Sequence, residues 1–127
     1  MIVSETARHS TTGKQLYVTH CAVCHGENGT GNGPASELFR VPPPDLTRIE
    51  ERRGVAFPYM EIRNIIDGRR EILAHGKRDM PIWGRRFTRD AEEQGLPNPE
   101  LLGEGSLIAL TSYLEEIQQV NVETEEP

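Results

Sequence analysis

The chain has 127 residues, 35% of them apolar and 6% aromatic, and a formal net charge of -6. That length suits one compact domain rather than two independent cores, and so few apolar side chains build a thin core that a large buried cofactor would help to fill. The acidic balance argues against nucleic acid as a partner, no apolar run reaches the length of a membrane span, and the opening Met1-Ile2-Val3-Ser4-Glu5 lacks the basic start and apolar stretch of an export signal.

Residues 1–11 read as a flexible N-terminus. Thr12 and Gln15 have capping-box spacing, and Gly13, Leu16, Tyr17 and His20 fall on one helical face, so the pattern predicts a helix over 12–20 that runs into a cysteine pair. Residues 26–34, rich in glycine and closed by Pro34, predict a tight loop, and Pro42-Pro43-Pro44 an extended connector. Asp45 is placed to cap a short helical segment ending near Gly54. Pro58 opens a helix over 58–67, with Ile62, Ile65 and Ile66 as its apolar stripe, Gly68 as its stop and Met60 as core filler. The stretch 69–104 contains Gly76, Pro81, Gly84, Gly95, Pro97, Pro99 and Gly103 and reads mostly as loop, a length that calls for a function or a cofactor to organise it. A last helix over 106–119 carries Leu107, Leu110, Leu114 and Ile117 at spacings of three and four, and an acidic tail follows over 120–127.

Charge is unevenly spread. Arg69, Arg70, Lys77, Arg78, Arg85 and Arg86 stand against only Glu71 and Asp79 in the segment 69–86, whereas no Lys or Arg follows Asp90. Solvated surface accounts for such runs; so does a dipolar molecule that orients itself on a partner.

Cys21-Ala22-Val23-Cys24-His25 places two thiols and an imidazole within five residues. Two thiols at that spacing can add to the two vinyl groups of haem, while the adjacent imidazole reaches the iron from the same side. A redox dithiol would sit in a βαβ pattern, which is not visible. A structural zinc site needs four ligands, and there is no second cysteine pair. A disulfide would close a loop too small to stabilise much. One covalent haem c, through Cys21 and Cys24 with His25 on the iron, is the reading this leaves.

The second axial ligand is a separate question. Met80 stands in Arg78-Asp79-Met80-Pro81-Ile82-Trp83-Gly84, a loop stiffened by proline beside an aromatic, and is the leading candidate. His75 in the same loop is the main competitor; His20, His9, Met60 and Met1 are weaker ones. An iron with no second protein ligand would instead suit a haem enzyme or gas sensor.

From Gly13-Lys14-Gln15-Leu16-Tyr17 through Cys21 to Gly26, Gly33-Pro34, Pro44-Asp45-Leu46-Thr47 and the Met80 loop to Leu110-Thr111-Ser112-Tyr113-Leu114, the chain resembles the class I c-type cytochromes of the mono-haem, His/Met-ligated, bacterial type. The resemblance covers 12–119. It implies an all-α cytochrome c fold, three to five helices wrapped around one haem c, with the N- and C-terminal helices crossing at Gly13, Tyr17, Leu110 and Tyr113. It also implies that the Pro34 carbonyl accepts the His25 ring N–H. Tyr59, Trp83 and Arg40 become candidate partners of the haem propionates, each open equally to packing or surface roles. The function implied is single-electron transfer between redox proteins, not enzymatic catalysis, with docking near the haem edge and the basic 69–86 segment. A haem subunit of a larger oxidoreductase is the alternative. Attachment of haem c outside the cytoplasm implies a periplasmic or otherwise exported protein.

Overall fold

The computed structural model describes residues 12–69 and 80–119, and among these every regular element is helical. The terminal segments 1–11 and 120–127, and with them His9 and Met1, lie outside the described residues, as do Arg70, His75, Lys77 and Arg78.

The first helix, α1, covers 12–25 in three continuous pieces: an α-helical turn at 12–16, a π-helical stretch Tyr17–Cys21 and a last turn Ala22–His25. It therefore continues past the expected end near 20 and takes in both cysteines. The widened turn closes where the Ala22 N–H donates to the Tyr17 carbonyl. Tyr17 is fully buried, and its hydroxyl donates to the Gly26 carbonyl at 2.5 Å, tying the middle of the helix to its end.

The predicted loop then folds back on α1. N–H groups of Gly31, Gly33 and Ala35 donate to the carbonyls of His25 (2.7 Å), Cys24 (3.1 Å) and Val23 (2.8 Å), satisfying acceptors that the helix end leaves open. This closeness needs glycine at 33, where a Cβ would come within 2.5 Å of the Ala22 and Val23 carbonyl oxygens. Beyond the proline connector, Asp45 caps as expected: its carboxylate accepts from the Thr47 N–H at 2.9 Å and the Thr47 hydroxyl at 2.6 Å. A 3₁₀ turn Leu46–Arg48 leads into α2 (Ile49–Arg53), which ends at Gly54.

Helix α3 spans Tyr59–Asp67 and buries Ile62 and Ile66. Met60 is not core filler. It is 62% exposed, because at 100° per residue it falls on the face opposite Ile62.

The largest departure from expectation lies in 69–104. Instead of one long loop, it holds α4 (Trp83–Glu93) and the start of α5 (Pro99–Glu116), which begins well before Ser106. Trp83, Phe87 and Ala91 recur every fourth residue and form the buried face of α4. Pro99 occupies the first turn of α5, where its missing N–H costs nothing. The two helices fold back on each other through 94–98 and pack closely at Gly103, where a Cβ would come within 2.6 Å of Thr88 Oγ1.

Leu107, Leu110 and Leu114 form the expected stripe on α5 and, with Tyr17, the centre of the core. There α1 crosses α5, as expected. A Cβ on Gly13 would overlap the Ala109 carbonyl oxygen and sit 2.8 Å from Tyr113 Cβ, and the Tyr17 and Tyr113 rings lie 5.4 Å apart. The C-terminal end of α5 is tied to the other side of the molecule: Gln118 donates to the Leu46 carbonyl at 2.6 Å, and the Gln119 N–H to that of Thr47 at 2.7 Å.

Candidate haem site

Between these helices lies a cavity of about 380 Å³ with a mostly apolar lining. Helix α1 contributes Tyr17, His20, Cys21, Cys24 and His25 to one wall; α3 contributes Ile62, Ile65 and Ile66; α5 contributes Leu110 and Leu114. Met80, Pro81 and Trp83 line it from the start of α4, and the proline connector with Leu46 and Ile49 completes it. The two cysteines and His25 thus share a cavity with Met80, although more than fifty residues separate them in the chain.

His25 Nδ1 stands 3.4 Å from the Pro44 carbonyl oxygen, at the long end of hydrogen-bonding range. A carbonyl can only accept, so this pairing puts the ring proton on Nδ1 and leaves the Nε2 lone pair for a metal. The expected partner was the Pro34 carbonyl; the structure pairs the ring with Pro44 instead. Pro34 follows Gly33 along the flank of α1, where that strand of the loop is occupied with the Cys24 and Val23 carbonyls. The connector lies against the loop at Gly31, where a Cβ would come within 2.5 Å of the Pro43 oxygen, and so brings Pro44 to the ring.

The three other residues expected around the cofactor divide. Trp83 lines the cavity, packed on Phe87 at 5.7 Å and on His20 at 5.1 Å. Tyr59 does not: its hydroxyl donates to the Ile108 carbonyl at 2.9 Å and lies 2.8 Å from Ser112 Oγ, so it links α3 to α5. Arg40 is exposed and outside the lining. Among the described residues, the Lys and Arg side chains that line the cavity are Arg52 and Arg53, at the end of α2. Arg52 donates to the Asp45 carbonyl at 2.7 Å, and Arg53 pairs with Glu61. Neither residue is among those the sequence pattern singles out, although the doublet at the end of a capped helical segment is visible in the chain.

Burial sets the protonation states here. The Cys21 thiol is pushed up to about 12 by burial and by the neighbouring Cys24. A thiol so disfavoured as thiolate is a poor attacking group for disulfide exchange, which argues against the redox-dithiol reading. Burial lowers the pKa of His25, partly offset by the Pro44 carbonyl, and so favours the neutral, metal-binding imidazole. Burial, with the nearby Arg86, also lowers that of His20. Among the described residues no group of three or more His, Cys, Asp or Glu side chains is gathered as a metal ion held by protein alone would require.

The residues fit a haem. Its macrocycle is apolar and matches the lining; its carboxylates need cations, and Arg52 and Arg53 stand on the lining; its vinyl groups need thiols, and its iron needs soft or imidazole donors. The family model for cytochrome c matches residues 10–118, and the chain belongs to the cytochrome c family. Membership carries the all-α cytochrome c fold, covalently bound haem c and electron transfer to and from redox proteins. No curated protein and no solved structure matches the chain. No helix among the described residues is long and apolar enough to cross a membrane.

Proposed function

We propose that this protein is a mono-haem electron carrier in a bacterial respiratory or dehydrogenase pathway. In this reading Cys21 and Cys24 hold the haem as thioethers, His25 and Met80 are its axial ligands, and Arg52 and Arg53 pair with its propionates. The observation that carries the reading is one apolar cavity onto which both cysteines, His25 and Met80 converge. Haem supplies an iron that cycles between ferrous and ferric. With His25 and Met80 both offered to the iron of a bound haem, no position would be left for substrate, and the change would stay free of bond chemistry. The α1 and α5 side chains exclude water, and the Pro44 carbonyl orients His25. A thioether donor favours the ferrous state and raises the potential. Because thioether attachment is completed outside the cytoplasm in the family, the periplasm is the proposed location.

A redox titration followed by absorption spectra tests this. The wild-type ferric protein should show the weak long-wavelength band of Met–iron bonding. Met80→Ala should abolish it and lower the potential by on the order of 0.1 V, a fraction of the range that axial ligands span. If Met80→Ala changed neither, His75 or another donor would hold that position; rapid carbon monoxide binding by the wild-type ferrous protein would indicate an open iron.

A second reading, as a haem subunit of a larger oxidoreductase, draws on the hairpin of α4 and α5. There Leu96 is 42%, Leu101 70% and Leu102 42% exposed, more apolar surface than a freely diffusing carrier needs. Co-purification of the native protein with an enzyme subunit would favour it.

A further inference from the structure

Asp67 closes α3 and is only 5% exposed. A carboxylate this deeply buried requires partners. Arg69 Nε donates to its Oδ1 at 2.6 Å, and Arg63 Nη1 to its Oδ2 at 3.2 Å. Arg63 is itself fixed to Glu104 of α5, through Nε at 2.9 Å and through Nη2. On the far side of the carboxylate lies Gly84, in the first turn of α4. A Cβ there would overlap Asp67 Oδ1 and come within 2.8 Å of Arg69 Nε. One buried side chain therefore touches the chain at residue 69 and again at residue 84, on both sides of Met80, and is braced against α5 through Arg63.

We propose that Asp67 is a positioning residue for the Met80 side of the haem site. Together with Arg63 it holds residues 69 and 84 at fixed places relative to α5, and thereby sets how often Met80 leaves the iron. The proposal rests on the reading of Met80 as ligand. Here the absence of a side chain at Gly84 lets the carboxylate sit on the α4 backbone immediately after the ligand loop.

The test is the binding of imidazole to the ferric holoprotein. Imidazole competes for the position that Met80 occupies, so its apparent affinity rises with the fraction of molecules in which Met80 is off. Arg69→Gln removes one charged hydrogen bond at a half-exposed site and should fold. It is expected to bind imidazole about tenfold more tightly, the size of effect that losing a charge-assisted bond produces. Asp67→Asn should bind at least as tightly as Arg69→Gln. Thr111→Ala, a buried change about two turns along α5 from Glu104, should lower the thermal midpoint and leave imidazole affinity unchanged. If Arg69→Gln and Asp67→Asn both stay within about twofold of wild type, or Thr111→Ala shifts affinity as much as they do, the proposal is wrong. A wild-type ferric protein without the Met–iron band would overturn the ligand reading and this proposal with it. A wild-type band with unchanged affinities overturns the role of Asp67 alone.

Discussion

Thr88 carries a hydroxyl buried between α4 and α5 that has no hydrogen-bond partner among the described residues. A buried polar atom without a partner retains most of its desolvation cost, whereas an apolar group of the same shape retains none. Thr88→Val keeps the β-branched outline and replaces the hydroxyl with a methyl, and the two residues have similar helix propensity. The variant is expected to be more stable by about 1 kcal/mol. For a domain of this size that corresponds to a thermal midpoint higher by roughly 4 °C, read by circular dichroism of the holoprotein. A lower midpoint would mean that the hydroxyl is satisfied after all. The same scale separates the residues that were legible from those that were not. That Cys21, Cys24 and His25 line one cavity was legible, because near neighbours at the end of one helix are held together by the chain itself. The partner of the His25 ring was not, because the choice between the Pro34 and Pro44 carbonyls depends on how a connector lies across a loop, which no local pattern encodes.

At the scale of elements, the crossing of α1 and α5 depends on a missing side chain. Gly13 lies against the Ala109 backbone, and neither partner can move without displacing the buried Tyr17 or Leu110. Gly13→Ala gains intrinsic helix propensity, about 1 kcal/mol in an unobstructed helix. The overlap with a carbonyl oxygen outweighs that gain, since overpacking against backbone costs about 1–3 kcal/mol. The variant should therefore be less stable than wild type in denaturant titration; a more stable variant would show that the helices separate easily. The expected crossing was readable because it needs a small residue and aromatics at fixed places. Helix α4 was not read, because its apolar face is only Trp83, Phe87 and Ala91 set among charged residues, and because Gly84 and the nearby prolines weigh toward loop. Gly84 and Gly103 are breakers by propensity. In the folded chain they are contact points, for Asp67 and Thr88, and only the tertiary partners make that visible.

The whole molecule joins an acidic net charge to a local excess of cations next to the cavity. Trp83 lines the cavity, and the Arg86 guanidinium lies 6.0 Å from its ring centroid with Arg85 exposed beside it, so positive surface adjoins one wall of the haem site. Asp90 neutralises Arg86 only in part, through a 3.4 Å contact in which both side chains remain solvent-accessible. No Lys or Arg follows Asp90 in the chain, so the cations beside Trp83 are the charge on which steering of an acidic partner would act. Steering of exposed charges fades once the Debye length falls to about 10 Å, near 0.1 M salt. The bimolecular rate of electron transfer to an acidic redox partner should therefore drop by about tenfold from low to physiological ionic strength. Replacing Arg85 and Arg86 with Glu should slow the low-salt rate to near the high-salt value and remove most of the salt dependence, while the reduction potential changes little. Stopped-flow measurement of both proteins across ionic strengths decides it. A wild-type rate that stays flat with salt would place the docking surface elsewhere, and the exposed leucines of the α4–α5 hairpin would then be the surface to probe.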